Sequence, residues 1–183
     1  MDKNQLLQEL KQAQTSANLT DWSLLADKAV SEFPADAFGY IYKGEYLLEL
    51  NDANAAIPFI SKAIEIEPKS DYLLSLGLAK LKINEDEAAK TIFEKLLKTE
   101  SKNPDLFYAM ALCSIDESDE KAIEYLNKAI AIQSNHINSL ELRVYLYLNL
   151  AKIKDALADL NQLIKLKPHN TAWRFQRIDI LKK

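Results

Sequence analysis

The chain has 183 residues, 48% of them hydrophobic, and its 27 acidic residues outweigh 23 lysines and arginines to give a net charge of −4. With 3 glycines, 1 cysteine and 2 histidines, it excludes a glycine-rich phosphate loop, an intramolecular disulfide and any multi-cysteine metal centre. Glycine this scarce also leaves little for the tight turns of a many-stranded sheet.

From the N-terminus onward, no basic segment leads into a long apolar stretch, so the start does not read as a secretory signal. No apolar run approaches the roughly 20 residues a membrane helix needs. The cytoplasm is the expected compartment. The first amphipathic segment, 22–34, recurs at 56–68, 89–101, 122–134 and 156–168, in steps of 34, 33, 33 and 34 residues. In the second copy Ala56, Ile60, Ala63 and Ile64 fall at i, i+4, i+7 and i+8, one face of a helix. The copies close at Pro34, Pro68 and Pro168, or at Ser101 and Ser134, where a helix stops and a turn begins.

About twenty residues lie between successive copies and hold a second helix. Tyr40, Gly44 and Leu47 share its face in 37–50; Leu73, Leu76, Gly77 and Lys80 share it in 70–83. Each repeat is therefore a helix–turn–helix pair. The spacing predicts pairs over 3–36, 37–69, 70–102, 103–136 and 137–169, then a terminal helix over 170–183, in a single domain spanning 1–183. Asn170 or Thr171 caps that last helix. Trp173, Arg177 and Ile180 form one of its faces and Phe175, Ile178 and Leu181 another. Apolar residues on two faces mark Trp173, Phe175 and Ile178 as candidate contacts with a second copy of the chain.

The repeats resemble the tetratricopeptide repeat family in Gly44 and Gly77, in Ala56, Ala89, Ala122 and Ala156, and in Phe93. Ala29, Ala63 and Ala129, and the closing Pro34, Pro68 and Pro168, also match. The resemblance spans about residues 3–169. It implies an all-α fold, a right-handed superhelical solenoid of helix-turn-helix repeats. Departures fall at Trp22, where a small residue is expected, and at Leu10, Met110 and Val144, which replace glycine. They leave the helix spacing of the first and last repeats open.

The resemblance also implies a ligand face: the first helices line a concave groove that takes a peptide or helix. On that register the binding residues are Phe38, Tyr42, Glu45, Leu78, Phe107, Tyr108, Leu142 and Tyr145. One subgroup of the family clamps a C-terminal carboxylate with Lys and Asn in its first repeat. Leu7 and Lys11 stand at those places, so the charge-assisted clamp is missing and a chaperone-tail adaptor is not expected.

The remaining chemistry-bearing residues read as structural. His136 and His169 fall in turns between repeats and are expected to be solvated. The acidic runs at 85–87 and 116–120 suit helix starts, with no calcium-loop pattern. Pro58 removes a donor early in its helix, and Cys113 reads as a small buried hydrophobe. Lys152, Lys154, Lys165 and Lys167 lack interleaved aromatics in a chain of pI about 5.3, so no nucleic-acid partner is expected. Charge is uneven: residues 151–183 carry eight cations against three acids, a net of +5, which leaves 15 cations and 24 acids, −9, on residues 1–150. The expected function is a non-catalytic protein-interaction scaffold with no cofactor, no membrane insertion and an unidentified protein or peptide partner. The alternative is self-assembly through the basic, apolar C-terminal helix.

Overall fold

In a computed structural model, residues 2–182 are described, and every regular element among them is a helix. The last position of the expected terminal helix, 183, lies outside the described residues. The helices come in pairs: α1 (Lys3–Thr15) with α2 (Leu19–Glu32), α3 (Ala37–Glu49) with α4 (Ala53–Ile66), and α5 (Ser70–Lys82) with α6 (Asp86–Leu97). Then follow α7 (Pro104–Leu112) with α8 (Asp119–Ile132), α9 (Ile137–Asn149) with α10 (Ile153–Leu166), and a single α11 (Thr171–Leu181). The chain divides into two units, residues 1–96 and 97–183.

The turns inside the pairs share one device. Ala17, Asn51, Asn84 and Ala151 each adopt positive φ, between 52° and 61°, just after a first helix. Behind them Asn18, Asp52, Glu85 and Lys152 each donate from the backbone N–H to a carbonyl five residues back, the six-to-one bond of a Schellman closure. Asn18 and Asp52 then cap the following helix, accepting from the N–H of Asp21 and of Ala55. The fourth pair departs from this. Its first helix, α7, is 9 residues long where α1, α3, α5 and α9 have 13. There the Ser114 hydroxyl donates back to the Met110 carbonyl at 2.9 Å, and Ser118 caps α8. A serine bonded to its own helix competes with further turns of that helix.

In the N-terminal unit the core joins Leu6 and Leu10 of α1, Ala26 and Ala29 of α2, Ile41 of α3, and Ile60 and Ala63 of α4. All three glycines serve close helix contact rather than turns, and none has positive φ. A Cβ on Gly44 would meet the Ile60 Cγ1 at 2.5 Å, and one on Gly77 the Phe93 ring at 2.3 Å. Gly39 is tighter in kind, because its Cβ would strike backbone: Val30 N at 2.7 Å and Ala29 C at 2.8 Å. Trp22 does fit where a small residue is expected. It is buried between α2 and α3, its indole N–H donates to the Tyr42 carbonyl at 3.0 Å, and its ring meets Tyr46 edge-on.

In the C-terminal unit, Ala122 and Leu126 of α8 pack with Leu146 of α9, and Leu140, Val144, Leu160, Leu163 and Trp173 form a second cluster. Arg143 of α9 grips Asp159 of α10 through two bonds of 2.7 Å and reaches Asn127 of α8 at 2.6 Å. A fork-to-carboxylate pair of this kind fixes orientation as well as distance. Asp159 is buried, so losing Arg143 would strand its charge, a destabilisation of about 3–5 kcal/mol.

Candidate functional site

Three first helices of the N-terminal unit, α1, α3 and α5, wall a groove of about 360 Å3. α1 contributes Leu7 and Lys11; α3 contributes Phe38, Ile41, Tyr42 and Glu45; α5 contributes Asp71 and Tyr72; Lys69 precedes α5. On α3 these residues fall at i, i+3, i+4 and i+7, so a single helix face presents all four.

The aromatic wall lies deep. Tyr42 is 9% exposed and Phe38 8%, and both belong to the unit's core cluster. Each offers the groove an edge and spends the rest of its area holding helices together. Burial, helped by the charge of Glu45, pushes the Tyr42 hydroxyl up to about 12. Tyr72 is half-buried, with the Lys69 ammonium 5.3 Å above its ring while that same ammonium pairs with Glu67 at 2.8 Å.

Glu45 ties the three helices together. Its carboxylate accepts from the Gln14 amide of α1 at 2.7 Å and from the Ser75 hydroxyl of α5 at 3.1 Å. Burial raises its pKa; the two hydrogen bonds oppose that shift, and the negative charge of Asp71 adds to it. Lys11 and Asp71 are exposed on the rim. The groove therefore offers apolar edges, a proton-hungry carboxylate and three exposed charges, those of Lys11, Lys69 and Asp71.

The other expected binding residues do not join this groove. Leu78, on α5, is half-buried and is not among its lining residues. In the C-terminal unit Phe107 turns toward α8, with the Lys128 ammonium 5.9 Å from its ring. Tyr108 is half-buried and meets His136 edge-on at 6.0 Å, and burial together with the Glu141 charge raises its pKa. Leu142 packs against the cluster of Ala122 and Leu126. Tyr145 is open to solvent. The register that the family resemblance implies missed Leu7, Lys11, Lys69 and Tyr72 as groove residues. Tyr72 sits one place from Asp71 and enters through the width of its ring, which helix-position counting ignores.

Two expectations require correction. His136 is not solvated: it is buried, with Nδ1 2.7 Å from the Ser139 hydroxyl and Nε2 2.9 Å from the Asp105 carboxylate, so it struts α7 to α9. The Ser–His–Asp order is that of a hydrolytic triad, but the Ser139 side chain is fully buried and no scissile carbonyl can reach it. Trp173 is not an outward contact: it is buried against Leu140 and Leu163, and its indole N–H donates to Glu141 at 2.7 Å. Phe175 and Ile178 do face outward. Among the described residues, no group of three or more histidine, cysteine or acidic side chains is placed to hold a metal, and no helix is long and apolar enough to cross a membrane.

Residues 39–70, 70–103 and 137–170 each match the tetratricopeptide repeat profile. No curated protein matches the sequence. Among solved structures, the thermophilic TPR protein TTC0263 of Thermus thermophilus superposes with a TM-score of 0.87 at 16% identity over 100% of both chains. PilF of Pseudomonas aeruginosa gives 0.72 at 14% identity, covering 97% of this chain and 86% of its own. YrrB, described as a TPR protein with an unusual peptide-binding site, gives 0.59 at 15% identity, covering 96% of this chain and 92% of its own. At such identities the likeness is one of fold.

Proposed function

Because this chain belongs to the tetratricopeptide repeat family, we propose that it is a non-catalytic protein-interaction scaffold, holding a peptide or helix of a partner in the α1–α3–α5 groove. One observation carries this reading: the groove joins apolar edges to hydrogen-bonding and charged groups on three helices fixed by a common core. A peptide site needs an apolar anchor point and a few oriented polar groups, presented without reordering cost. The peptide-binding site ascribed to YrrB supports the same use of the fold. The compartment we assign is the cytoplasm.

The test must spare the core, because Tyr42 is buried in the unit's core cluster and truncating it would open a cavity there. Lys11→Glu combined with Asp71→Lys alters only exposed side chains. Peptides selected from a displayed random library on the parent chain should bind the double variant at least tenfold more weakly. Equal binding, or no enriched sequence, would overturn the groove assignment.

A second reading is self-association. The outward stripe of α11 carries Phe175, Ile178 and Leu181, all exposed, next to Arg174 and Lys182.

A further inference from the structure

A second hollow, of about 430 Å3, lies between α1 and α2. Leu24, 65% exposed, and Leu25 give it an apolar wall, while Glu9 and Asp21 line it with negative charge and no basic side chain lines it. The outward stripe of α11 has the opposite composition. Phe175 is 65% exposed and Leu181 64%, with Ile178 between them and the cations Arg174 and Lys182 at either end. Resting on the self-association reading above, we propose that α11 of one copy docks into the α1–α2 hollow of a second copy.

Charge selects this pairing over the symmetric one. Two α11 stripes laid face to face would bring Arg174 and Lys182 against their own kind, with the exposed Asp179 beside them offsetting only part of that charge, within a segment already at +5. Against the α1–α2 hollow the same cations meet Glu9 and Asp21, and Phe175 and Leu181 meet Leu24 and Leu25. Ridge-into-groove seating of one helix between two others is ordinary helix packing. Because the two faces differ, the contact is heterologous: a pair joined by it keeps one free stripe and one free hollow, and assembly either closes into a ring or continues head to tail.

The experiment is sedimentation velocity on the full chain, with two single variants and their mixture. Leu24→Glu blocks the hollow and Phe175→Glu blocks the stripe; both residues are exposed, so helical circular dichroism should be unchanged. The parent should associate as its concentration rises, and less so in high salt. Each variant alone should associate at least tenfold more weakly. An equimolar mixture should form a dimer and stop there, because Leu24→Glu keeps a working stripe and Phe175→Glu a working hollow. Should either glutamate reduce helical content, Leu24→Ser and Phe175→Ser repeat the design without the charge.

The outcomes separate the two ideas. If Leu24→Glu assembles like the parent while Phe175→Glu does not, α11 self-associates through another face and the α1–α2 hollow is not its partner. A mixture that stays monomeric, or variants that both assemble like the parent, also overturns the pairing. A parent that is monomeric at every concentration removes self-association altogether.

Discussion

Glu45 shows how a single side chain on the groove face is caught between binding and stability. Its folded-state pKa lies above the ordinary 4.5, so between the two values the folded chain holds a proton that the unfolded chain has lost. Stability therefore falls as pH rises through that window and stays lower above it. Glu45→Gln removes the charge and keeps an acceptor for Gln14. Its Tm should exceed the parent's at pH 7, with the gap closing below pH 4.5; a lower Tm at pH 7 would show that the charged bonds to Gln14 and Ser75 outweigh burial. The placement of Glu45 on the first-helix face was legible in the sequence through the register that the family resemblance implies. Its burial was not, because that depends on Gln14 and Ser75 closing in from helices about thirty residues away. His136 is misread for the same reason: local sequence shows a turn, and only the approach of Asp105 makes that turn an interior site.

Among the elements, the period of 33–34 residues is enough to place the helix pairs, because each pair must present the same stripe to its neighbours. What the period does not carry is how each pair closes. Ala17 and Ala151 take positive φ with no sequence signal, at a cost of roughly 1 kcal/mol each relative to glycine. The period does not carry the shortness of α7 either: it stops at Leu112, and Ser114 just beyond it bonds back to the Met110 carbonyl. Gly44 and Gly77 stand out by repeat position, whereas Gly39 lies outside the motif and is the tightest backbone approach of the three. The difference orders two variants. Gly39→Ala has to separate α2 from α3 and should cost about 2–3 kcal/mol. Gly44→Ala presses mainly on Cγ1 of the buried Ile60 side chain rather than on backbone, and should cost less. Urea unfolding of the two would measure the order; equal midpoints would show that the α2–α3 spacing yields as readily as the Ile60 side chain.

Across the molecule, interior and surface are divided between different parts of the same repeats. Alanines at the helix crossings are fully buried in both units, Ala56 and Ala63 in one and Ala122 and Ala129 in the other, so the second helices anchor each pair. The first helices of the N-terminal unit are left to present Lys11, Glu45, Asp71 and Tyr72. The raised pKa of Glu45 then gives occupancy of the groove a chemical signature of its own. Just above pH 4.5, where the folded chain still holds that proton, a lysine or arginine of a bound peptide seated at the carboxyl would draw it into the ionised state, and the displaced proton would pass to the buffer. Calorimetric heats of one peptide, measured at one pH in buffers of different ionisation enthalpy, should therefore differ in proportion to the protons released; identical heats would mean that Glu45 keeps its protonation on binding. Within that acidic window, a scaffold with no reaction to report would thus announce each docking event as a small acidification of its surroundings.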